Sequence, residues 1–414
     1  MKNNLFGTCL LGLLLFVSPL LAQNPLESLL QNNPTLKKIV EQPQTYQVQI
    51  CYTQINRDRN NKPIFTTYYH NVEENRYFYP ASTVKLPIAL LALEKLNELK
   101  IKDLDKFSPM TVDSAFTNQT AVRYDSTAAN YKASVAHYVR KIFLTSDNDA
   151  SNRLYEFVGA EEINQKLHQK GYKNVRIIHR LGVGDSEESA KYANPVHFYN
   201  QAGKEIYQRP LRFTNKTYPF NLNNLRQGIG YLKGDSVVNT PFDFSKRNYI
   251  SLPTLHKILR SVIFPQETPA KNRFNLTEQD YQWVYKAMAM YPKESDYPKY
   301  TNPEENYDSF VKFLVFGSQK DAQIPANIRI FNKVGNAYGY LLDNAYVVDF
   351  ATKTEFLLTA VIYVNADGIF NDNKYEYEEI GFPFLKALGQ TILEYEQKRP
   401  KKYLPDLQRF NFFK

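Results

Sequence analysis

Three short stretches of this chain combine residue types that can perform acyl transfer. Ser82-x-x-Lys85 stands at the start of an apolar run, about Thr83–Leu99, in which Leu86, Leu90, Leu93 and Leu96 recur at helical spacing. A separation of three puts both side chains on one helix face. A serine hydroxyl is a poor nucleophile until a neighbouring base takes its proton, and a lysine whose charge is suppressed by burial can be that base. A helix start also offers unpaired backbone N–H groups to a developing oxyanion. By itself the motif is equally an ordinary helix cap, and Ser309-x-x-Lys312 repeats it. Two further stretches separate the pair. Ser146-Asp147-Asn148, 64 residues beyond Ser82, follows a helical pattern at Val135–Leu144, and Lys333-Val334-Gly335, 187 residues beyond Ser146, ends a strand-like run. Ser309 has no apolar helix and no Ser-Asp-Asn after it, which makes it the decoy.

In this order and these settings the three stretches resemble the motifs of the class A β-lactamases and their penicillin-binding relatives. A weaker resemblance covers most of Tyr46–Lys398. It implies that Ser82 is the acylated nucleophile, Lys85 its activating partner and Ser146 a proton shuttle toward the leaving nitrogen. Asn148 would hold the substrate amide, and Lys333 would favour an anionic substrate. The Ser82 amide and one just past Gly335 would form the oxyanion hole. The function so implied is a secreted serine hydrolase that opens β-lactam or related amide bonds without a cofactor. A D-Ala peptidase, an esterase, and a non-catalytic wall-binding protein of the same fold remain alternatives. The intact set of Ser82, Lys85, Ser146, Asn148 and Lys333 argues against the last, because binding alone does not require it.

The chain departs from that pattern in three places. Val334 stands where a hydroxyl residue is usual, leaving one donor fewer for a substrate carboxylate. His179-Arg180-Leu181-Gly182 puts glycine where class A enzymes carry the deacylating glutamate, with Glu187 and Glu188 nearby as possible replacements. The stretch between the second and third motifs is long, and 194–248 reads as an insertion, either a surface elaboration or a lid over the cleft.

Positioning these groups requires a frame. Tyr46–Ile55 and Pro63–His70 read as a hairpin around the polar Asn56–Lys62; Ile328–Val334, Ala345–Phe350 and Glu355–Val364 supply three more strands. Helices are expected at Val135–Leu144, Ala150–Val158, Glu161–Lys170, Leu252–Ile263 and Glu278–Met290, with an amphipathic one at Phe384–Lys398 closing the chain. The expectation is an α/β (α+β) fold: a five-stranded antiparallel sheet assembled from both termini, about 45–100 and 305–400, beside an all-helical part at about 100–305.

The 414 residues are 43% hydrophobic and 22% charged, which excludes a disordered or collagen-like chain and a polytopic membrane protein. The net charge of +9 is spread without a basic block, so no nucleic-acid partner is expected. Residues 1–22, a basic start, an apolar run and Ala22, read as a secretory signal peptide, giving a secreted, periplasmic or envelope address and no stable membrane insertion after cleavage. Cys51 is then the one cysteine left, so no internal disulfide forms. Six histidines without paired spacing point to no metal. The expected partner is a small β-lactam or peptidoglycan-type substrate, met by a monomer.

Overall fold

The computed structural model describes residues 24–117, 119–184 and 186–413, so the expected signal peptide lies outside the described residues. The chain enters through α1 (Pro25–Asn32), α2 (Pro34–Val40) and α3 (Pro43–Tyr46). The sequence reading passed over these, yet each opens with proline, and Asn24 and Asn33 cap α1 and α2 through their side chains. The hairpin β1 (Gln49–Arg57) and β2 (Pro63–His70) follows. After the helical part the chain returns in β3 (Ile328–Ala337), β4 (Tyr340–Asp349) and β5 (Thr354–Tyr363). The five strands form one antiparallel sheet in the order β3-β4-β5-β1-β2, as expected. All ten residues of β4 and of β5 are buried, because both faces of the sheet are covered.

Alternation along β3 assigns its side chains. Phe331 joins the core shared with the helical part, whereas Ile330 and Val334 join the core under α1, α2 and α10 (Phe382–Lys398). Lys333, two residues from Phe331, therefore faces the helical part, and Asn332 faces away from it. β3 is an edge strand, so one side of its backbone is free of sheet pairing.

The helical part consists of α4 (Lys85–Leu99), α5 (Val135–Thr145), α6 (Asn148–Val158), α7 (Ala160–Gln169), α8 (Leu252–Ile263) and α9 (Glu278–Ala289). α4 is preceded by a 3₁₀ turn, Ala81–Val84, and every residue from Lys85 to Leu96 is buried. The leucine stripe is thus only one side of a helix surrounded by others. Its charged residues survive burial by pairing: Lys95 Nζ lies 2.6 Å from Glu162, and Glu94 lies 2.8 Å from Lys170.

The stretch 192–250 differs from the helical reading of the middle. It folds as short strands: Val196–Tyr199 pairs with Met110–Val112 and Glu205–Arg209, Gly230–Lys233 pairs with Ser236–Val238 and Ile369–Phe370, and Phe242–Asp243 pairs with Arg226–Gln227. These ladders are too short for a two-residue period to stand out in the sequence.

Candidate active site

Ser82 lies inside the 3₁₀ turn that leads into α4, half-buried, one residue after Ala81, whose φ is +46°. A left-handed alanine is strained, and here the strain sits directly before the candidate nucleophile. The neighbouring β3 fixes the other side of this turn. A β-carbon on Gly335 would lie 2.9 Å from Pro80 O and 3.1 Å from both Ser82 N and Ala81 Cβ. Only glycine lets the edge strand approach the Ser82 amide so closely. That amide belongs to a first helical turn, and β3 presents the unpaired side of its backbone here, with Asn336 and Ala337 lining the cleft.

Ser146-Asp147-Asn148 is the junction of two helices. Ser146 ends α5 in a left-handed conformation, φ +58°; Asp147 caps α6, accepting from Ala150 N at 2.8 Å; Asn148 is the first residue of α6. Lys141 steadies the junction through Asp147 at 3.2 Å. The tight turn aims Ser146 and Asn148 at α4. Lys85 Nζ donates to Ser146 O at 2.5 Å, to Asn148 Oδ1 at 2.6 Å and to Ser146 Oγ at 3.4 Å. From the opposite side Lys333 Nζ donates to Ser146 Oγ at 2.7 Å and to Val334 O at 2.9 Å. Ser146 is therefore the bridge between the two lysines. Among the described residues Lys85 makes no hydrogen bond to Ser82: the pair expected from the Ser-x-x-Lys spacing is near in sequence, but the ammonium is turned toward Ser146 and Asn148.

Burial dominates the charge state of both lysines. Lys85 is fully buried and its pKa falls to about 7, with Asp147 pulling weakly the other way. Lys333 is pushed well below the ordinary lysine range by burial and by the neighbouring Lys85, against the pull of Asp343. Two ammonium groups converging on one hydroxyl disfavour each other, so the pair readily holds fewer than two charges. The field expected of Lys333 toward an anionic substrate is weakened accordingly.

Ser82 opens into a cleft of about 390 Å³ lined by Tyr79, Asn148, Gly182, Asn336, Tyr338, Tyr377 and others. Among the described lining residues none carries a charge. The turn Tyr338-Gly339 has φ of +55° and +74°, the pattern of a two-residue hairpin turn, and it places Tyr338 at the cleft. Asn371, Asn373, Tyr375 and Tyr377 reach the cleft from the loop after β5. Sequence reasoning missed these aromatic and amide walls; the Tyr-Gly pair between two strand patterns was a usable signal for Tyr338, and nothing local marked the others.

Gly182, with φ +67°, also lines this cleft, and a β-carbon there would collide with the Asn148 side chain. Its loop is pinned to α6. Asn152, one turn beyond Asn148, donates to Leu181 O at 2.8 Å and accepts from Leu181 N at 2.9 Å, while Arg180 Nε lies 2.5 Å from Glu156. Glu187 and Glu188 are not brought to the cleft. They are exposed and paired with Lys246 at 2.7 Å and Lys191 at 2.6 Å. No residue of 194–248 lines the cleft either; its Phe242 and Phe244 stand 5.4 and 5.6 Å from Tyr338, backing the cleft wall. The repeated pair is engaged differently: Ser309 Oγ donates to Gln319 O, and the buried Lys312 donates to Met288 O, Ile330 O and Asn332 Oδ1, the residue before Lys333. Among the described residues no group of three or more metal-ligating side chains occurs.

Residues 33–209 match the model of the beta-lactamase enzyme family. No curated protein matches the chain. Solved structures similar to it include a beta-lactamase from Sphaerobacter thermophilus, with 11% identity, a TM-score of 0.47, and 91% of this chain and 97% of that one covered. A beta lactamase from Xanthomonas campestris pv. campestris is 13% identical with a TM-score of 0.45, covering 89% and 97%.

Proposed function

We propose that this chain is a divergent member of the β-lactamase and penicillin-binding family, to whose beta-lactamase model residues 33–209 match, and a secreted serine hydrolase that opens β-lactam or related amide bonds through an acyl-enzyme on Ser82, with slow deacylation. The observation that carries the reading is the convergence of two buried lysines on Ser146, with Asn148, bonded to Lys85, lining the Ser82 cleft and the glycine of the edge strand against the Ser82 amide.

The chemistry follows from that arrangement. Neutral Lys85 takes the Ser82 hydroxyl proton, from which its present hydrogen bonds to Ser146 and Asn148 must partly release it; such contacts commonly tighten only once substrate is bound. Ser82 Oγ attacks the carbonyl carbon, and the negative charge that moves onto the carbonyl oxygen is met by the Ser82 amide and an amide past Gly335. As the C–N bond breaks, Ser146 gives its proton to the leaving nitrogen and recovers one from the lysines bonded to it. Asn148 offers its amide to the substrate while its oxygen holds Lys85.

Hydrolysis of the resulting ester needs a water and a base. No carboxylate faces Ser82 among the described cleft residues, which favours an acyl-enzyme that persists. Such a protein resembles a penicillin-binding acyl-transfer enzyme more than a fast β-lactamase, so cleavage of a D-Ala peptide or an ester is the second reading. Intact mass after mixing with penicillin tests the proposal: a stable adduct is expected on the wild type and none on Ser82→Ala. An adduct on Ser82→Ala overturns it.

A further inference from the structure

A second cavity, about 730 Å³ and larger than the Ser82 cleft, borders the same 178–182 segment. Ile178 and His179 face it, whereas Leu181 and Gly182 face Ser82. The His179 ring lies parallel to that of Tyr79, 6.5 Å away, and Tyr79 belongs to the Ser82 cleft. The 214–219 and 243–247 stretches of the insertion complete the walls.

The charges lining this cavity are unbalanced. Among the described residues five cations, Arg176, Lys191, Lys216, Lys246 and Arg247, stand against the two carboxylates Glu187 and Asp243. The lysines are already paired at the exposed rim: Lys246 with Glu187, Lys191 with Glu188, and Lys216 with Glu161 at 2.5 Å. The arginines are not. Arg176 is 7% exposed, and its hydrogen bonds go only to neutral carbonyls, from Nε to Arg247 O at 3.1 Å and from Nη1 to Tyr218 O at 3.4 Å. Its Nη2 has no partner among the described residues. Arg247 is half-buried, its guanidinium 5.6 Å from the centroid of the Phe242 ring, and it makes no ion pair among the described residues.

A guanidinium keeps its charge under burial, so it cannot relieve the cost of desolvation by losing a proton. Carbonyl acceptors compensate only part of that cost. Arg247, half-buried at the wall of a cavity of small-molecule size, and Arg176, whose unpartnered Nη2 is closed to solvent behind it, form a counter-charge without a charge to meet. We propose that this cavity binds a small ligand through an oxyanion group, a carboxylate or a phosphate, held by Arg176 and Arg247. Both oxyanion groups present two oxygens to the guanidinium fork, and each bond formed is charge-assisted. The site is separate from the acyl-transfer chemistry and does not depend on it.

Calorimetric titration of the whole protein with inorganic pyrophosphate and, separately, with citrate tests this. Saturable binding of one molecule per chain is expected for at least one probe, and the tighter probe names the oxyanion class. Arg247→Ala should weaken it by about tenfold or more, the loss of a charge-assisted bond. Arg247→Lys, which keeps the charge but not the fork, should fall between. Ser82→Ala should bind as the wild type does, which separates this site from the nucleophile. Binding of neither probe, or equal binding by folded Arg247→Ala and Arg247→Lys, overturns the proposal.

Discussion

Gly182 and Asn148 meet at the wall of the Ser82 cleft, which both of them line. The glycine is left-handed, and any β-carbon on it runs into the Asn148 side chain. The loop cannot easily retreat, because Leu181 is bonded at both its N–H and its C=O to Asn152 on the same helix.

Burst kinetics are therefore expected with a chromogenic cephalosporin in stopped flow: one rapid equivalent opened per chain, then a steady rate lower by ~10²–10⁴-fold, the usual worth of general-base help. Gly182→Glu should not raise the steady rate, since the side chain has neither room nor a compatible backbone. Glu187→Gln and Glu188→Gln should change either phase by no more than about twofold, as for surface residues remote from the chemistry. Fast steady turnover that either variant abolishes would refute this account.

Acylation should rise with pH through about 7, where burial places the Lys85 pKa. Below that value the protonated amine cannot accept the serine proton, and the rate should fall about tenfold per pH unit. Second-order acylation constants measured from pH 5 to 9 would check the profile. Lys85→Ala should lose the ascending limb together with at least ~100-fold in rate. A profile flat across pH 7 would remove Lys85 as the base.

Gly335→Ala should block acylation more than it unfolds the protein. The new methyl group meets Pro80 O and Ser82 N at 2.9 and 3.1 Å, so β3 or the turn bearing Ser82 must shift. Such displacement of an oxyanion donor is expected to cost ~10²–10³-fold in acylation. Labelling by a fluorescent penicillin, read beside the thermal transition, separates the two effects; unaltered labelling would show that the close approach is dispensable.

The repeated motif provides a control. Ser309→Ala should leave labelling intact, because Ser309 Oγ is bonded to Gln319 O and, among the described residues, to none of the three motifs. Lys312→Ala should instead destabilise the fold, by ~3–5 kcal/mol in urea unfolding, since Asn332 and Asp343 lose a buried cation. Loss of labelling in folded Ser309→Ala would reverse the assignment of nucleophile and decoy.

The sequence was informative wherever a local pattern had a local cause. Strand-like runs at both ends of the chain located all five strands of the sheet, though for β4 only its second half, and the helical repeats located α4 to α10 to within a few residues. The first two motifs lie at element boundaries, a helix start and a helix–helix junction, whereas Lys333-Val334-Gly335, expected to end a strand, lies inside β3, which runs on to Ala337. Gly182, singled out in the sequence, lines the Ser82 cleft.

What the sequence could not determine is which groups meet. Ser146 lies 64 residues from Ser82 and 187 from Lys333, and only the packing of α5, α6 and α4 against β3 makes Ser146 the hydroxyl that both lysines reach. The same packing turns Lys85 toward Asn148, drives both lysines below their ordinary pKa, and puts Gly182 against Asn148. Residues 371–377, which finish the cleft, arrive from a loop with no motif of its own. Spacing along a chain fixes direction over a turn or two of helix; distances across the fold follow from how buried faces fit together, and desolvation, which sets the charge in this site, exists only once they do.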